Sequence, residues 1–205
     1  MADITIIGAG SMAGAIAAIA VAGGNSVQLL ARDRDKAAAV NPAATPGVIG
    51  DPITGDIVVL ALPYAAVAEV LARYAGELDG TILVDITNPV DFSTFDSLVV
   101  PAGSSAAQQI AALAPTARVL KAFNTNFAAT LASGTVGGET TAVLIAGDDD
   151  DAKAALTAVL AAGGRRAVDA GSLKRAHELE ALGFLQLALA SGGKTSWTSG
   201  FGLAE

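Results

Sequence analysis

Seven short runs of β-branched and other apolar residues, with Ala-rich stretches between them, constrain the fold of this chain more than any other feature. They are DITIIG (3–8), SVQLLA (26–31), DIVVLAL (56–62), TILVDI (81–86), ARVLKAF (117–123), TAVLIAG (141–147) and RAVDA (166–170). Each has the length of a strand. Most are apolar at consecutive positions rather than at every second one, the pattern of a strand buried on both faces. Helices are expected between them at about 11–23, 33–40, 64–75, 104–113 and 149–162, with a longer one at about 172–190. Strands and helices in alternation pack as an α/β fold, a doubly wound and mostly parallel sheet with a C-terminal helical segment. No linker, repeat or shift in composition divides the 205 residues. One domain spanning 1–205 is therefore expected, the last helix and the Gly/Ser-rich tail included.

Charge narrows the partners. Twenty acidic residues against 12 basic ones give a net charge of −8, which disfavours nucleic acid and anionic membrane surfaces. There is no cysteine for a disulfide, a thiol nucleophile or a metal site, which fits the cytoplasm. The opening MADITIIGAG has an acid at Asp3 and too short an apolar run for a secretory signal. The longest apolar stretch, DIVVLALPYAAVAEVLARY, is interrupted by Pro63 and Glu69 and reads as strand then helix rather than a membrane span. The acidic run GDDDDAKAAL (147–156) reads as a helix N-terminus, where the macrodipole and free N–H groups favour carboxylates.

Between the first strand and the first helix, Gly8, Gly10 and Ala13 form a G-x-G-x-x-A turn. In that context it is the mark of a Rossmann-type dinucleotide site. Gly8 permits the tight turn, Gly10 lets the backbone approach a pyrophosphate, and the small Ala13 lets helix and strand pack closely. The end of the second strand then discriminates between cofactors. An acidic residue there would grip a ribose 2′-hydroxyl; this chain has Ala31 and Arg32 instead, in LLARDRDK. Arg32 can form charge-assisted bonds to a 2′-phosphate, and Lys36, four residues on, adds a second cation if 33–40 is helical. NADP(H) is the expected dinucleotide. Arg34 has no assigned role at this stage.

Catalytic groups are few. The single histidine, His177, lies between Arg175 and Glu178 on the last helix and reads as exposed or structural, and Tyr74 as packing. Polar residues cluster instead at the C-terminal ends of strands, where doubly wound sheets bind ligands: LPY (62–64), DITNPV (85–90), KAFNTNF (121–127) and DAGSL (169–173). Asn88, Asn124, Thr125 and Asn126 offer hydrogen bonds without acid–base capacity, so no catalytic side chain and no metal site are expected. Hydride transfer between two stacked rings suits such a site, because it needs mainly an approach of roughly 3–3.5 Å and exclusion of water.

Taken in order, GAGSMAGAI, ARDRDKA, LALPY, DITNP, KAFNT and DAGSL resemble the NADPH-dependent coenzyme F420 oxidoreductase family, and the related cytosolic domain of six-transmembrane epithelial antigen metalloreductases. The resemblance runs from Ile4 to about Ala190. It implies a hydride transfer between NADP(H) and a deazaflavin (coenzyme F420) or a flavin (FMN or FAD). By motif, Gly8, Gly10, Ser11 and Met12 would line the pyrophosphate turn, and Arg32 and Lys36 the 2′-phosphate. Leu62 and Pro63 would lie beside the dinucleotide. Asn88 and Pro89, with Ala122, Phe123 and Asn124, would surround the nicotinamide and the second ring. Where the family often has Ser or Thr, this chain has Ala31, which removes one phosphate ligand.

Other readings stand beside this one: a free-flavin or ferric-chelate reductase using NADPH, or a non-catalytic NADP-binding sensor or partner protein. The opening IGAGSMAGAI is also similar to pyrroline-5-carboxylate reductase, whose separate helical domain has no room here. The wide apolar stripe of the last helix, with Leu179, Leu182, Leu185 and Leu189, suggests a homodimer seam. The tail SGGKTSWTSGFGLAE, with Trp197 and Phe201, has no place in the sequence reading.

Overall fold

The computed structural model describes residues 1–203. In chain order the elements are β1 (Asp3–Ile7), α1 (Ser11–Ala22), β2 (Ser26–Ala31), α2 (Arg34–Val40), β3 (Thr45–Val48), β4 (Ile57–Leu60), α3 (Tyr64–Arg73) and β5 (Ile82–Asp85). There follow α4 (Ala106–Leu113), β6 (Arg118–Lys121), α5 (Ala128–Ser133), β7 (Thr135–Val136), β8 (Glu139–Thr140), β9 (Ala142–Gly147), α6 (Asp150–Ala162) and β10 (Arg166–Gly171). A 3-10 turn (Leu173–Arg175) leads into α7 (Ala176–Ser191). No helix of the described residues is long and apolar enough to cross a membrane.

Eight strands form one sheet in the order β10-β9-β6-β5-β4-β1-β2-β3. The stretch from β3 to β6 has the strand order of a Rossmann fold, with its reversal point between β1 and β4. All neighbouring pairs are parallel except β6 with β9. The consecutive apolar positions are explained by burial on both sides. Ile6, Leu29, Val59 and Val84 pack in the core with α1 and α6, whereas Ile7, Leu30, Leu60 and Leu83 pack in the opposite core with α3 and α4.

The expected strands and helices all form, within a few residues at their ends. The acidic run opens α6 as anticipated: Asp149 is the N-cap and accepts from Ala152 N at 2.7 Å, and Asp150 and Asp151 sit in the first turn. Asp148 does something else. Its carboxylate accepts from Leu173 N at 2.9 Å and pins the start of the last helical segment. Four elements were not anticipated: β3, the two short strands β7 and β8 that pair as a hairpin, and α5.

Candidate functional site

The glycine turn sits at the reversal point of the sheet. Gly8 has φ 137°, and a Cβ there would lie 2.0 Å from the carbonyl oxygen of Ala61, at the end of the neighbouring strand β4. Only glycine fits. Gly10 is the N-cap of α1 and gives it no side-chain hydrogen bond, so the helix begins with unsatisfied N–H groups. No atom would lie within 4 Å of a Cβ on Gly10, which leaves the approach to those groups open. Ala13 is fully buried in the core, where a larger side chain would force α1 away from the sheet.

Two hollows meet at Gly10 and Ser11. The smaller one, about 410 Å³, is walled by Ala9, Gly14, Lys36, Ala39 and Val40, so α2 brings Lys36 to the glycine turn. The charges of LLARDRDK separate into two sets. Asp33 is the N-cap of α2, accepting from Asp35 N at 2.8 Å, and Arg34 turns to the sheet edge, donating to the Pro46 carbonyl at 2.8 Å and to Asp51 at 3.0 Å. Among the described residues Arg32 and Lys36 are exposed and have no ion pair. Ala31 is buried, and its carbonyl accepts from Ile49 N at 2.8 Å.

The larger hollow, about 740 Å³, runs from Gly10, Ser11 and Met12 along the C-terminal edge of the sheet, past Leu62, Pro63, Asn88, Phe123 and Asn124. Five of the nine aromatic residues in the chain border it: Tyr64, Phe92, Phe123, Phe127 and Trp197. Two sequence-derived candidates lie behind this wall. Ala122 is fully buried in the core, and Pro89 is buried with its carbonyl accepting from Val99 N at 2.7 Å.

The wall at Asn88 and Asn124 is a reciprocal clasp. Asn88 Nδ2 donates to the Asn124 carbonyl at 2.8 Å, while Asn124 Nδ2 donates to Asn88 Oδ1 at 2.9 Å and to the Leu179 carbonyl of α7 at 2.8 Å. A tight turn after β6 makes it: Asn124 N donates to the Ala122 carbonyl, which holds the intervening Phe123 at φ 62°. A bulky, buried residue in the left-handed region is strained. The strain lies at the cavity wall.

Beneath that wall is a charge cluster absent from the sequence reading. Lys121, wholly buried, reaches Asp85 at 2.7 Å and Glu180 at 2.8 Å, and donates to the Thr87 carbonyl at 2.5 Å. Glu180 also accepts from Ala106 N at 2.8 Å and Ala107 N at 3.3 Å, capping α4. Burial pushes the Glu180 carboxyl above its ordinary range, against the pull of Lys121. The Tyr64 phenol at the cavity wall is pushed up too, first by burial and then by Glu180 and Asp85. A signal for part of this cluster was present: Asp85 and Lys121 end adjacent strands and pair in register. The single histidine makes a structural contact, His177 Nδ1 lying 3.0 Å from the Ser104 carbonyl oxygen. Tyr74 is fully buried and accepts from Gly50 N at 2.7 Å. Among the described residues no group of three His, Asp or Glu side chains is arranged to hold a metal.

The sequence profile of the family described as NADP oxidoreductase, coenzyme F420-dependent, matches residues 3–89. Over this segment the chain is similar to that family. The match covers the glycine turn, Arg32, Lys36 and Asn88, and of these residues Gly10, Lys36 and Asn88 line the two hollows. No curated protein matches the chain. Among solved structures, a candidate F420-dependent NADP reductase from Arthrobacter sp. FB24 superposes with a TM-score of 0.87 at 26% identity, over 100% of both chains. A hypothetical protein from Sinorhizobium meliloti gives a TM-score of 0.76 at 28% identity, over 84% of this chain and 86% of that one. An imine reductase from Myxococcus stipitatus in complex with NADP+ shares the fold, with a TM-score of 0.68 at 20% identity over 94% of this chain and 63% of that one.

Proposed function

We propose that this oxidoreductase transfers a hydride between NADP(H) and the ring of a deazaflavin (coenzyme F420) or a flavin (FMN or FAD). The observation that carries this reading is one cavity that starts at the uncapped N-terminus of α1 and gathers five of the nine aromatic side chains. The residues fit NADP(H). The first N–H groups of α1, with Gly10, Ser11 and Met12, would receive the pyrophosphate. Arg32 and Lys36, exposed and without ion pairs among the described residues, would receive the 2′-phosphate. Leu62 and Pro63 would flank the dinucleotide, and the Asn88–Asn124 clasp with Phe123 would wall the nicotinamide. NADPH supplies the hydride from its nicotinamide C4. The protein orients the rings and keeps water out, and its one phenol at the wall, Tyr64, stays protonated at neutral pH. In the same reading residues 1–205 act as one NADP-binding domain in the cytoplasm, and a second copy covers α7, where Leu185 is half exposed.

The test is NADPH oxidation, followed at the nicotinamide band without oxygen, with coenzyme F420, FMN or a ferric chelate as the acceptor. Oxidation with F420 or FMN is expected, at least about tenfold faster with NADPH than with NADH at limiting concentration. The double variant Arg32→Ala/Lys36→Ala loses that preference, as removal of charge-assisted phosphate bonds worth about 1.5–3 kcal/mol requires. Oxidation with the ferric chelate alone contradicts the reading, as does equal use of NADH.

A further inference from the structure

The last twelve described residues take an unusual path. After α7 the chain runs without helix or strand from Gly192 to Leu203. It returns over the cavity, and Trp197 and Thr198 line its outer end. The Trp197 ring meets Phe127, centroids 5.2 Å apart, yet remains 50% exposed. Further contacts hold the segment among the described residues. Gly200 and Gly202 pass beside Val136 of the β7–β8 hairpin, and Arg166 donates to the Leu203 carbonyl at 3.1 Å.

In the cavity wall the carboxamides of Gln186 and Asn126 have oxygens with no partner among the described residues. Gln186 on α7 is 3% exposed, and a Cβ on Gly200 of the tail would lie 3.9 Å from its Oε1. Asn126 is 8% exposed; its Nδ2 donates to the Ala142 carbonyl at 3.0 Å, and its Oδ1 is bare. Both residues line the cavity. Neither oxygen reaches water, a costly arrangement unless another state of the site supplies a donor.

We infer that the tail is the movable outer wall of the acceptor subsite, with Trp197 stacking on the acceptor ring and the Gln186 amide binding the ring's edge. This rests on the hydride-transfer reading above and deepens it. A tail that lifts exposes Gln186 Oε1, and a tail that closes sets the indole over whatever has entered. The chemistry then selects a flat heteroaromatic ring with an N–H beside a carbonyl: the N–H donates to Gln186 Oε1, and the carbonyl accepts from Gln186 Nε2. Flavins and deazaflavins both carry such an imide edge. A ferric chelate offers neither the flat face nor the edge.

Trp197 is the only tryptophan in the chain, so its emission reports this subsite alone. The experiment titrates FMN and coenzyme F420 into the NADP+-saturated protein, and measures acceptor KM and NADPH Kd for Trp197→Ala, Trp197→Phe and Gln186→Leu. N3-methyl-FMN serves as a ring with its edge N–H blocked. The expected results are quenching of the tryptophan as the ring saturates, and an acceptor KM raised roughly tenfold in Trp197→Ala but mostly restored in Trp197→Phe, with NADPH Kd unchanged. N3-methylation weakens binding to the wild type roughly tenfold and to Gln186→Leu hardly at all. Ring reduction with an unaltered KM in Trp197→Ala, an equal rise in NADPH Kd, or indifference to N3-methylation overturns the tail assignment and leaves the hydride-transfer reading standing. Failure of both rings to oxidise NADPH overturns both.

Discussion

Lys121 and Glu180 show how a buried charge can position a wall without touching a ligand. Lys121 serves two carboxylates, so with all three groups ionised the dry cluster carries one surplus negative charge. Burial accordingly raises the Glu180 carboxyl. In the unfolded chain this group titrates near about 4.3. In the folded protein it holds its proton to higher pH, so its contribution to stability is fully present below about pH 4.3 and is lost as pH rises through the folded value. Glu180→Gln removes that term. Urea unfolding of the two proteins from pH 4 to pH 7 is expected to show the wild type losing stability relative to the variant as pH rises; parallel profiles would contradict it.

Helix α7 is the element that joins this cluster to the cavity. It carries Glu180 to the N-terminus of α4, the Leu179 carbonyl to Asn124, and Gln186 to the cavity wall. Gly183 permits the contact, since a Cβ there would come within 2.4 Å of Asn88 Oδ1 and 2.8 Å of the Asn124 carbonyl oxygen. Gly183→Ala is expected to push α7 off the clasp and to cost about 1–3 kcal/mol of unfolding free energy by urea titration. An unchanged midpoint would show that α7 does not need this approach.

What the sequence made legible at this scale follows from burial. Strands covered on both faces announce themselves by unbroken apolar runs, and strand ends locate ligands in a doubly wound sheet. The edge strand β3, TPGV, hides because Pro and Gly read as loop, and an edge tolerates a residue that cannot donate. The hairpin β7–β8 has two residues a side and leaves no periodicity to detect. Arg32 and Lys36 stood out by their place after the second strand, but Asp33 and Arg34 showed their capping and edge-binding roles only once α2 and β3 were in position. The Lys121 cluster and Trp197 were hidden for a different reason. Each depends on segments distant in sequence, and the tail carries no pattern of its own.

At the scale of the whole molecule, the proposed reading has an acidic chain binding an anionic dinucleotide against its own field. The fold answers locally, with a helix N-terminus and two cations at one end of a cavity whose other end is aromatic. In the proposed reading the donor and acceptor rings share that cavity, and the hydride passes directly between them. The measurement closest to that claim is the fate of deuterium from NADPH labelled at nicotinamide C4, with coenzyme F420 as acceptor in ordinary water. One face of C4 delivers the hydride, so with the correctly labelled epimer one deuterium is expected on C5 of the reduced deazaflavin, where it does not exchange. Reduced deazaflavin free of label with both epimers, or no consumption of NADPH with either coenzyme F420 or FMN, would contradict the account.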